Sequence, residues 1–213
     1  MSSQKITIID HGCGNILNLV RSIKFLGYET DVTNNSKKII NSSHVILPGV
    51  GAFGNVMQQL REQNLQKSIL EYAKLQKPLL GICLGMQILL TSSHEFGFHK
   101  GLGLIDGEVV KLSVKNKNDF KIPHVGWNEI YPSDDKKKWD SKILKNLLVG
   151  KSFYFVHSFM CITKNPNLTI ATCNYAGTSI PSVISSGNIF GCQFHPEKSA
   201  KDGLTILKNF CEI

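Results

Sequence analysis

The stretch PLLGICLGMQ, residues 78–87, determines the fold that we predict for this chain. Its first five residues form a short apolar run typical of a buried strand, and the sequence after Cys83 predicts a helix that continues to about Thr91. Gly81 and Gly85 flank the cysteine in a G-x-nucleophile-x-G pattern, which places a nucleophile on a sharp turn between a strand and a helix. Such a turn leaves no room for bulky neighbours, and free N–H groups at the helix start favour a thiolate. The simpler alternative is a buried cysteine in a turn bounded by glycines.

Upstream of this stretch, short apolar runs alternate with segments of helical character. The sequence predicts strands at 6–9 and at 44–47, the second closed by a proline, and helices at about 16–26, 53–62 and 65–76. This alternation is typical of a parallel sheet that is covered by helices.

The second half of the chain predicts mainly strands. Turn residues separate candidate strands at 107–112, 121–130, 152–156, 168–174, 181–185 and 188–194, and a final helix is predicted at about 203–210. The chain has no internal repeat and no linker rich in Gly, Ser or Pro. We therefore predict one α/β domain over residues 1–213, with three layers. A flavodoxin-like, mostly parallel sheet carries helices on both faces, and an antiparallel strand region is added in the second half.

The composition is that of an ordinary globular protein, with 42% hydrophobic and 19% charged residues. No run approaches the roughly 20 apolar residues of a membrane-spanning helix, and the N-terminus leads directly into a strand pattern. We therefore expect a cytoplasmic protein without a membrane partner.

The net charge of +8 comes from 22 Lys and only two Arg. Arg is the residue suited to forked phosphate contacts, so nucleic acid is not an expected partner. The six cysteines form no C-x-x-C pair and predict no disulfide framework.

A cysteine nucleophile needs a base, and His195 is the strongest candidate. It follows the strand-like residues 189–194, and Pro196 fixes the backbone before Glu197. A carboxylate two residues from the histidine can orient the imidazole and stabilise its charged form.

The other histidines carry weaker signals. His44, His94 and His99 are predicted to be ordinary surface or core residues, whereas His124 and His157 fit either a structural or a functional interpretation. No spacing of His, Cys and acidic residues matches a metal-ligand motif. We therefore predict neither a metal nor another cofactor.

The segment PGVGAF, residues 48–53, lies between a predicted strand and a predicted helix. Its two glycines allow the backbone to approach a ligand closely, and acyl transfer requires N–H groups that stabilise an oxyanion. An ordinary turn between strand and helix is the alternative, because a G-x-G pattern alone is weak evidence.

Five motifs in this order resemble the motif series of the class I, triad-type glutamine amidotransferases. They are PGVGAF (48–53), GICLGMQ (81–87), PHVGWN (123–128), VHSF (156–159) and QFHPEKS (193–199). The first and third are specific to the glutaminase subunits of imidazole glycerol phosphate synthase. The resemblance extends from residue 6 to residue 210, nearly the whole chain.

The resemblance implies that the chain hydrolyses L-glutamine to glutamate and ammonia. Cys83 would attack the side-chain amide, His195 would act as base and then as acid to the leaving ammonia, and Glu197 would orient His195. The implied oxyanion donors are the N–H groups of Val50, Gly51 and Leu84. The implied substrate-binding residues are Gly49, Gln87, Glu95, Ser158 and Phe159, among which Glu95 would hold the α-ammonium group.

In this family the ammonia passes to a cyclase subunit, a (β/α)8 barrel that makes imidazole glycerol phosphate in histidine biosynthesis. The resemblance thus implies a heterodimer. The family's interface positions correspond here to Asn15, Trp127, Tyr154 and Lys198. Aromatic anchors dominate protein interfaces, although a core position for Trp127 is the alternative.

Three residues depart from the family pattern. His11 and Cys13 stand where the first turn has tyrosine and methionine, and Phe159 stands where the family has tyrosine. None belongs to the triad, so they bear on the identity of the partner more than on the reaction.

Two other hypotheses stay open. One is a related glutaminase that supplies ammonia for amidation of a surface-polysaccharide sugar. The other is a catalytically silent scaffold, against which the intact triad argues.

Overall fold

The computed structural model describes residues 5–113, 121–133 and 138–213, and its central feature is an eight-stranded sheet. Five neighbouring strands are parallel, in the order β2 (Glu29–Thr33), β1 (Lys5–Ile9), β3 (His44–Gly49), β4 (Leu79–Cys83) and β14 (Ile189–Cys192). The sheet continues with three antiparallel strands, β13 (Thr178–Ser186), β12 (Thr169–Tyr175) and β9 (Tyr131–Pro132). Both halves of the sequence therefore contribute to one sheet.

Helices pack on both faces of the parallel region. On one face lie α1 (Ile16–Phe25) and α6 (Ala200–Cys211), and on the other lie α3 (Phe53–Glu62) and α4 (Leu65–Lys74), which also contacts α2 (Ser36–Asn41). Successive side chains of a strand point to opposite faces of the sheet. In β3, Ile46 packs with the first pair of helices, whereas Val45 and Leu47 pack with the second. The predicted three-layer α/β fold with an added antiparallel region is confirmed.

Two smaller sheets complete the architecture. One has the order β11 (Phe159–Thr163), β7 (Ile105–Lys111), β5 (Leu90–Ser93) and β6 (His99–Lys100). The other is an antiparallel pair, β8 (His124–Glu129) and β10 (Ser152–His157). Its register places His124 opposite His157, and Trp127 opposite Tyr154.

Two predicted boundaries are wrong. The helix after Cys83, α5, covers only Leu84–Ile88, and the chain then enters β5. The apolar residues of this segment are buried throughout, so their pattern does not distinguish a helix from a strand. Pro48 does not close the second strand but lies within β3, where it is paired with Ile82 of β4. Pairing with β1 has ended at Ile46, so the missing N–H of Pro48 interrupts no ladder on that side.

The sequence analysis did not identify β2, α2, β6 or β11. The N-terminal residues 1–4, which we predicted to lead into the first strand, lie outside the described residues. Within the part of the chain that the structure describes, no helix is long and apolar enough to cross a membrane.

Candidate active site

Cys83 occupies a sharp turn between β4 and α5. Its backbone has φ +56° and ψ −112°, a conformation that a non-glycine residue adopts only when its surroundings enforce it. A Cβ atom at Gly85 would lie 1.9 Å from the carbonyl oxygen of Leu47, and one at Gly81 would lie 2.6 Å from the carbonyl oxygen of Gly85. The two glycines of the motif are therefore needed because backbone occupies the space where side chains would go.

His195 and Glu197 form a buried pair at the end of β14. The His195 Nδ1 lies 2.8 Å from the Glu197 Oε1, and each side chain is 3% exposed. The backbone N–H of His195 donates to the carbonyl of Tyr154 at 2.9 Å, which fixes the histidine against β10. Because Nδ1–H donates to the carboxylate, Nε2 is the nitrogen left for chemistry, and no residue in the described part of the chain forms a hydrogen bond with it.

The charge state of His195 is set by competing effects. Burial alone would lower the pKa of His195, but the neighbouring Cys83 sulfur and the Glu197 carboxylate together raise the pKa to about 10. An imidazolium beside a thiolate is the form that such a pair favours.

Cys83 and His195 share a cleft of about 310 Å³. The residues that line it are Val50, Gly51, Cys83, Leu84, Gln87, Glu95, Pro123, Val156, His157, Ser158, Phe159 and His195. The structure thus brings together all the predicted oxyanion and substrate-binding residues except Gly49. Gly49 lies behind the elbow instead, where a Cβ atom would be 2.9 Å from the backbone nitrogen of Gly85.

The first turn of the chain holds the segment that contains Val50. The His11 Nε2 lies 2.7 Å from the carbonyl oxygen of Pro48, and the Val50 N–H donates to the carbonyl of Cys13 at 3.2 Å. Both departures from the family pattern in this turn therefore contact the predicted oxyanion segment. Val50 would have to release Cys13 before its N–H could donate to an oxyanion.

Glu95 is a buried carboxylate at the wall of the cleft. Its Oε2 accepts the backbone N–H of Phe53, the first residue of α3, at 2.5 Å. Among the described residues, no cationic side chain forms an ion pair with it. A buried carboxylate without a cation is suited to bind one, and the assignment of the α-ammonium group to Glu95 stays a prediction.

Gln193 is a site residue that the sequence analysis did not single out. It is fully buried, and its Nε2 lies 3.9 Å from the Cys83 Sγ. Its Oε1 accepts a hydrogen bond from the Gln87 Nε2 at 3.1 Å, and the same Gln87 nitrogen donates to the carbonyl of Phe159 at 3.0 Å. The signal in the sequence was a polar residue at the end of a strand, two positions before His195.

Three of the four predicted interface residues form one exposed cluster. The Trp127 and Tyr154 rings are 6.1 Å apart in an edge-to-face arrangement, and the Lys198 Nζ lies 5.7 Å from the centre of the Tyr154 ring. Trp127 is 53% exposed, so the alternative of a core tryptophan is excluded. Asn15 lies apart from this cluster and lines a small cavity beside Glu197.

Four of the other five cysteines are kept protonated by burial. Burial raises the pKa of Cys173 to about 11 and that of Cys211 to about 12, and it raises the pKa of Cys161 and Cys192 further. None of these four supplies a thiolate at neutral pH. In the described ranges, no group of three or more His, Cys, Asp or Glu side chains is placed to hold a metal ion.

Comparisons with known proteins agree with this arrangement. A sequence profile of the family "Glutamine amidotransferase class-I" matches residues 7–213. The imidazole glycerol phosphate synthase subunit HisH 1 of Legionella pneumophila strain Lens is 42% identical, covering 98% of this chain and 99% of the relative. The HisH subunit of Listeria innocua is 44% identical, with 98% and 95% coverage.

Solved structures share the fold at lower sequence identity. The structure of PurLQS from Thermotoga maritima superimposes with a TM-score of 0.75 at 17% identity, covering 99% of this chain and 98% of that one. A glutamine amidotransferase from the same organism gives a TM-score of 0.61 at 18% identity, with 95% and 80% coverage. The resemblance seen in the motifs is confirmed. The chain belongs to the class I glutamine amidotransferase family, and within it to the HisH subunits of imidazole glycerol phosphate synthase.

Proposed function

We propose that this chain is a glutaminase subunit that cleaves L-glutamine with Cys83, His195 and Glu197 and delivers the ammonia to a cyclase subunit. The observation that carries the proposal is the shared cleft. A strained cysteine and the Nε2 of a histidine held by a buried carboxylate line the same 310 Å³ space. This combination of nucleophile, base and orienting acid is what amide hydrolysis through a thioester requires.

The chemistry follows from that placement. The Cys83 sulfur attacks the side-chain amide carbon of glutamine, and the carbonyl oxygen becomes an oxyanion for which the N–H groups of Leu84, Gly51 and Val50 are the proposed donors. His195 Nε2 delivers a proton to the nitrogen as the C–N bond breaks, which releases ammonia and leaves a thioester. Water then attacks the thioester with His195 as base, and glutamate leaves with the thiol restored.

Substrate binding is proposed to use the opposite wall of the cleft. The Glu95 carboxylate would pair with the α-ammonium group, while Gln87, Ser158 and Phe159 would contact the remaining polar atoms of glutamine. Gly49 acts indirectly, because its lack of a side chain lets β3 approach the turn at Cys83.

The proposed partner is a cyclase subunit, a (β/α)8 barrel, in a heterodimer. Asn15 and the exposed cluster of Trp127, Tyr154 and Lys198 would contact it. Two aromatic rings in edge-to-face contact match the composition of interface hot spots, in which Trp and Tyr are enriched. The backbone of Tyr154 also accepts the N–H of His195, so the proposed docking surface lies directly behind the triad.

We further propose that residues 1–213 form one domain, because strands from both halves share the eight-stranded sheet. The names of the relatives support the histidine pathway and do not favour amidation of a surface-polysaccharide sugar.

The test supplies the purified chain with its cognate cyclase, the phosphoribosyl-formimino substrate and either glutamine or an ammonium salt. We expect Cys83→Ala to abolish glutamine-dependent cyclisation and to leave ammonia-dependent cyclisation intact. Cys211→Ala, at a buried cysteine of α6 that does not line the cleft, is the matched control and should retain both activities. Glutamine-dependent turnover by Cys83→Ala would exclude the proposed nucleophile, and absence of cyclisation with either nitrogen source would exclude the proposed partner reaction.

A further inference from the structure

Two buried histidines contact each other beneath the cleft and belong to none of the roles described so far. The His124 Nδ1 lies 3.0 Å from the His157 Nε2. At one end of the pair, the His124 Nε2 lies 2.7 Å from the Asn128 Oδ1. At the other end, the His157 Nδ1 lies 2.9 Å from the carbonyl oxygen of Phe159, a residue of the cleft wall.

A count of protons shows that two neutral imidazoles cannot make all three contacts. Both end contacts are to oxygen atoms that only accept, so His124 Nε2 and His157 Nδ1 must each carry a hydrogen. The central contact joins two ring nitrogens and needs one hydrogen as well. Three hydrogens on four nitrogens correspond to one imidazole and one imidazolium.

A flip of the Asn128 amide does not remove the conflict. The Asn128 Nδ2 donates to the carbonyl of Asn174 on β12 at 3.2 Å. If the amide were reversed, its nitrogen could donate to His124, but its oxygen would then face the Asn174 carbonyl. The reversed amide would lose its hydrogen bond to Asn174 and place two acceptors against each other at the surface, so it exchanges one unfavourable contact for another.

Some surroundings of the pair disfavour a charged imidazole and others favour it. Burial lowers the pKa of His124, and the Asn128 side chain raises it. Burial, together with the charges of His124 and His195, lowers the pKa of His157 to about 4, although the contact with the Phe159 carbonyl acts in the opposite direction. In favour of the charge, His124 is stacked between two aromatic rings, with centroids 3.9 Å from Tyr175 and 4.9 Å from Phe155.

In the described ranges, other titratable groups face the pair from the cleft and from β12. Among the described residues, the Cys83 thiol, the Glu95 carboxylate and the His195 imidazole line the same space as His157. On the side of β12, the facing titratable group is the phenol of Tyr175, whose hydroxyl donates to the Lys121 carbonyl.

We propose that His124 and His157 share a third proton, and that this proton positions the Phe159 carbonyl for glutamine binding. When the proton is lost, the central contact keeps one hydrogen, and only one end contact can keep the other. In one of the two resulting arrangements, the unprotonated His157 Nδ1 opposes the Phe159 carbonyl. That carbonyl is the acceptor for Gln87, so the disturbance reaches the cleft wall directly. The inference rests on the proposed function, since it assigns a positioning role in the glutamine site.

The first experiment measures glutamine affinity against pH by calorimetry in a Cys83→Ala background, in which no turnover occurs. We expect affinity to fall about 2- to 10-fold as the pair loses its third proton, the size expected for one buried hydrogen bond. Asn128→Asp places a carboxylate against His124, so the fall should move to higher pH. Asn128→Leu removes the acceptor, so both remaining protons serve the central and Phe159 contacts and the fall should disappear.

A matched control is His44→Asn, which changes a buried histidine of β3 packed on Phe210, remote from the cleft. It should leave the pH profile of glutamine affinity unchanged. Contributions from the ammonium group of glutamine, Glu95 and His195 are common to all variants and cancel in the comparison. A fall that is identical in the parent, Asn128→Asp and Asn128→Leu proteins would overturn the proposal.

The second experiment measures the protonation of the four ring nitrogens of His124 and His157 in the absence of glutamine. It uses long-range 1H–15N correlation spectra of protein labelled with 15N at the histidine rings. We expect both rings to titrate together, with hydrogens on three of the four ring nitrogens below the transition. Two independent titrations, or two neutral rings throughout the range in which the protein is folded, would exclude the shared proton. If the parent protein binds no glutamine at all, the proposed function fails, whereas this spectrum still decides the proton count.

Discussion

Replacement of Glu197 by glutamine isolates the contribution of one buried negative charge. The Nδ1–Oε1 contact of 2.8 Å joins side chains that are each 3% exposed, so solvent cannot replace the lost interaction. A hydrogen bond to a charged group contributes about 1.5–3 kcal/mol, which at 1.36 kcal/mol per tenfold change corresponds to about 10- to 150-fold. The glutamine side chain can also present its NH2 group to Nδ1 and so favour the wrong tautomer. We therefore expect glutaminase activity to fall about 100-fold or more.

The assay is glutamate release in the presence of the cyclase partner. Glu197→Asp keeps the charge and should retain more activity than Glu197→Gln, while Glu71→Gln, a half-exposed carboxylate on α4, is the control for loss of a charge as such. Because the carboxylate helps to raise the pKa of His195, Glu197→Gln should lower that pKa, as NMR titration of the ring can measure. Ammonia-dependent cyclisation should not change. Turnover within about threefold of the parent would refute the assignment, since an orienting role implies the larger loss.

Three further predictions concern labelling, packing and partner binding. A glutamine-like electrophile such as diazo-oxo-norleucine should modify Cys83 in preference to the other five cysteines, and mass spectrometry that locates the label elsewhere would contradict the proposed nucleophile. Gly85→Ala would bring Cβ within 1.9 Å of the Leu47 carbonyl oxygen, so we expect the free energy of unfolding to fall by about 3 kcal/mol and Tm to fall by roughly 6–12 °C. An unchanged melting curve would show that the backbone moves to accommodate the methyl group at little cost. Trp127→Ala should weaken the complex with the cyclase by about 2 kcal/mol in calorimetric titration and leave Cys83 labelling intact, whereas unchanged affinity would place the interface elsewhere.

Local spacing was sufficient to predict the elements that carry the triad. The turn at Cys83 follows from two glycines that leave room for backbone, and Pro196 holds Glu197 two residues from His195. Contacts of this kind join residues that are close in the chain, so the sequence pattern reports them directly. The parallel strands on either side were predictable for a similar reason, because strands buried on both faces form continuous apolar runs.

The tertiary structure alone decided which distant residues meet. The segment after α5 becomes β5 because β7 is available to pair with it, and no local pattern reports a pairing partner. Gln193 lies beneath Cys83, 110 positions away, because β14 is inserted beside β4.

The antiparallel pair of β8 and β10 shows the same difference between what the sequence determines and what the tertiary structure decides. The sequence left Trp127 open between a core and an interface position, and it left His157 open between a structural and a functional interpretation. The register of β8 on β10 places Trp127 opposite Tyr154, with the Trp127 side chain exposed, and it places His124 opposite His157, where both are buried; the role of His157 stays a proposal. The sequence therefore determined the reactive groups and their local geometry. The order and register of the strands, which depend on long-range packing, determined the cleft wall, the exposed cluster and the histidine pair.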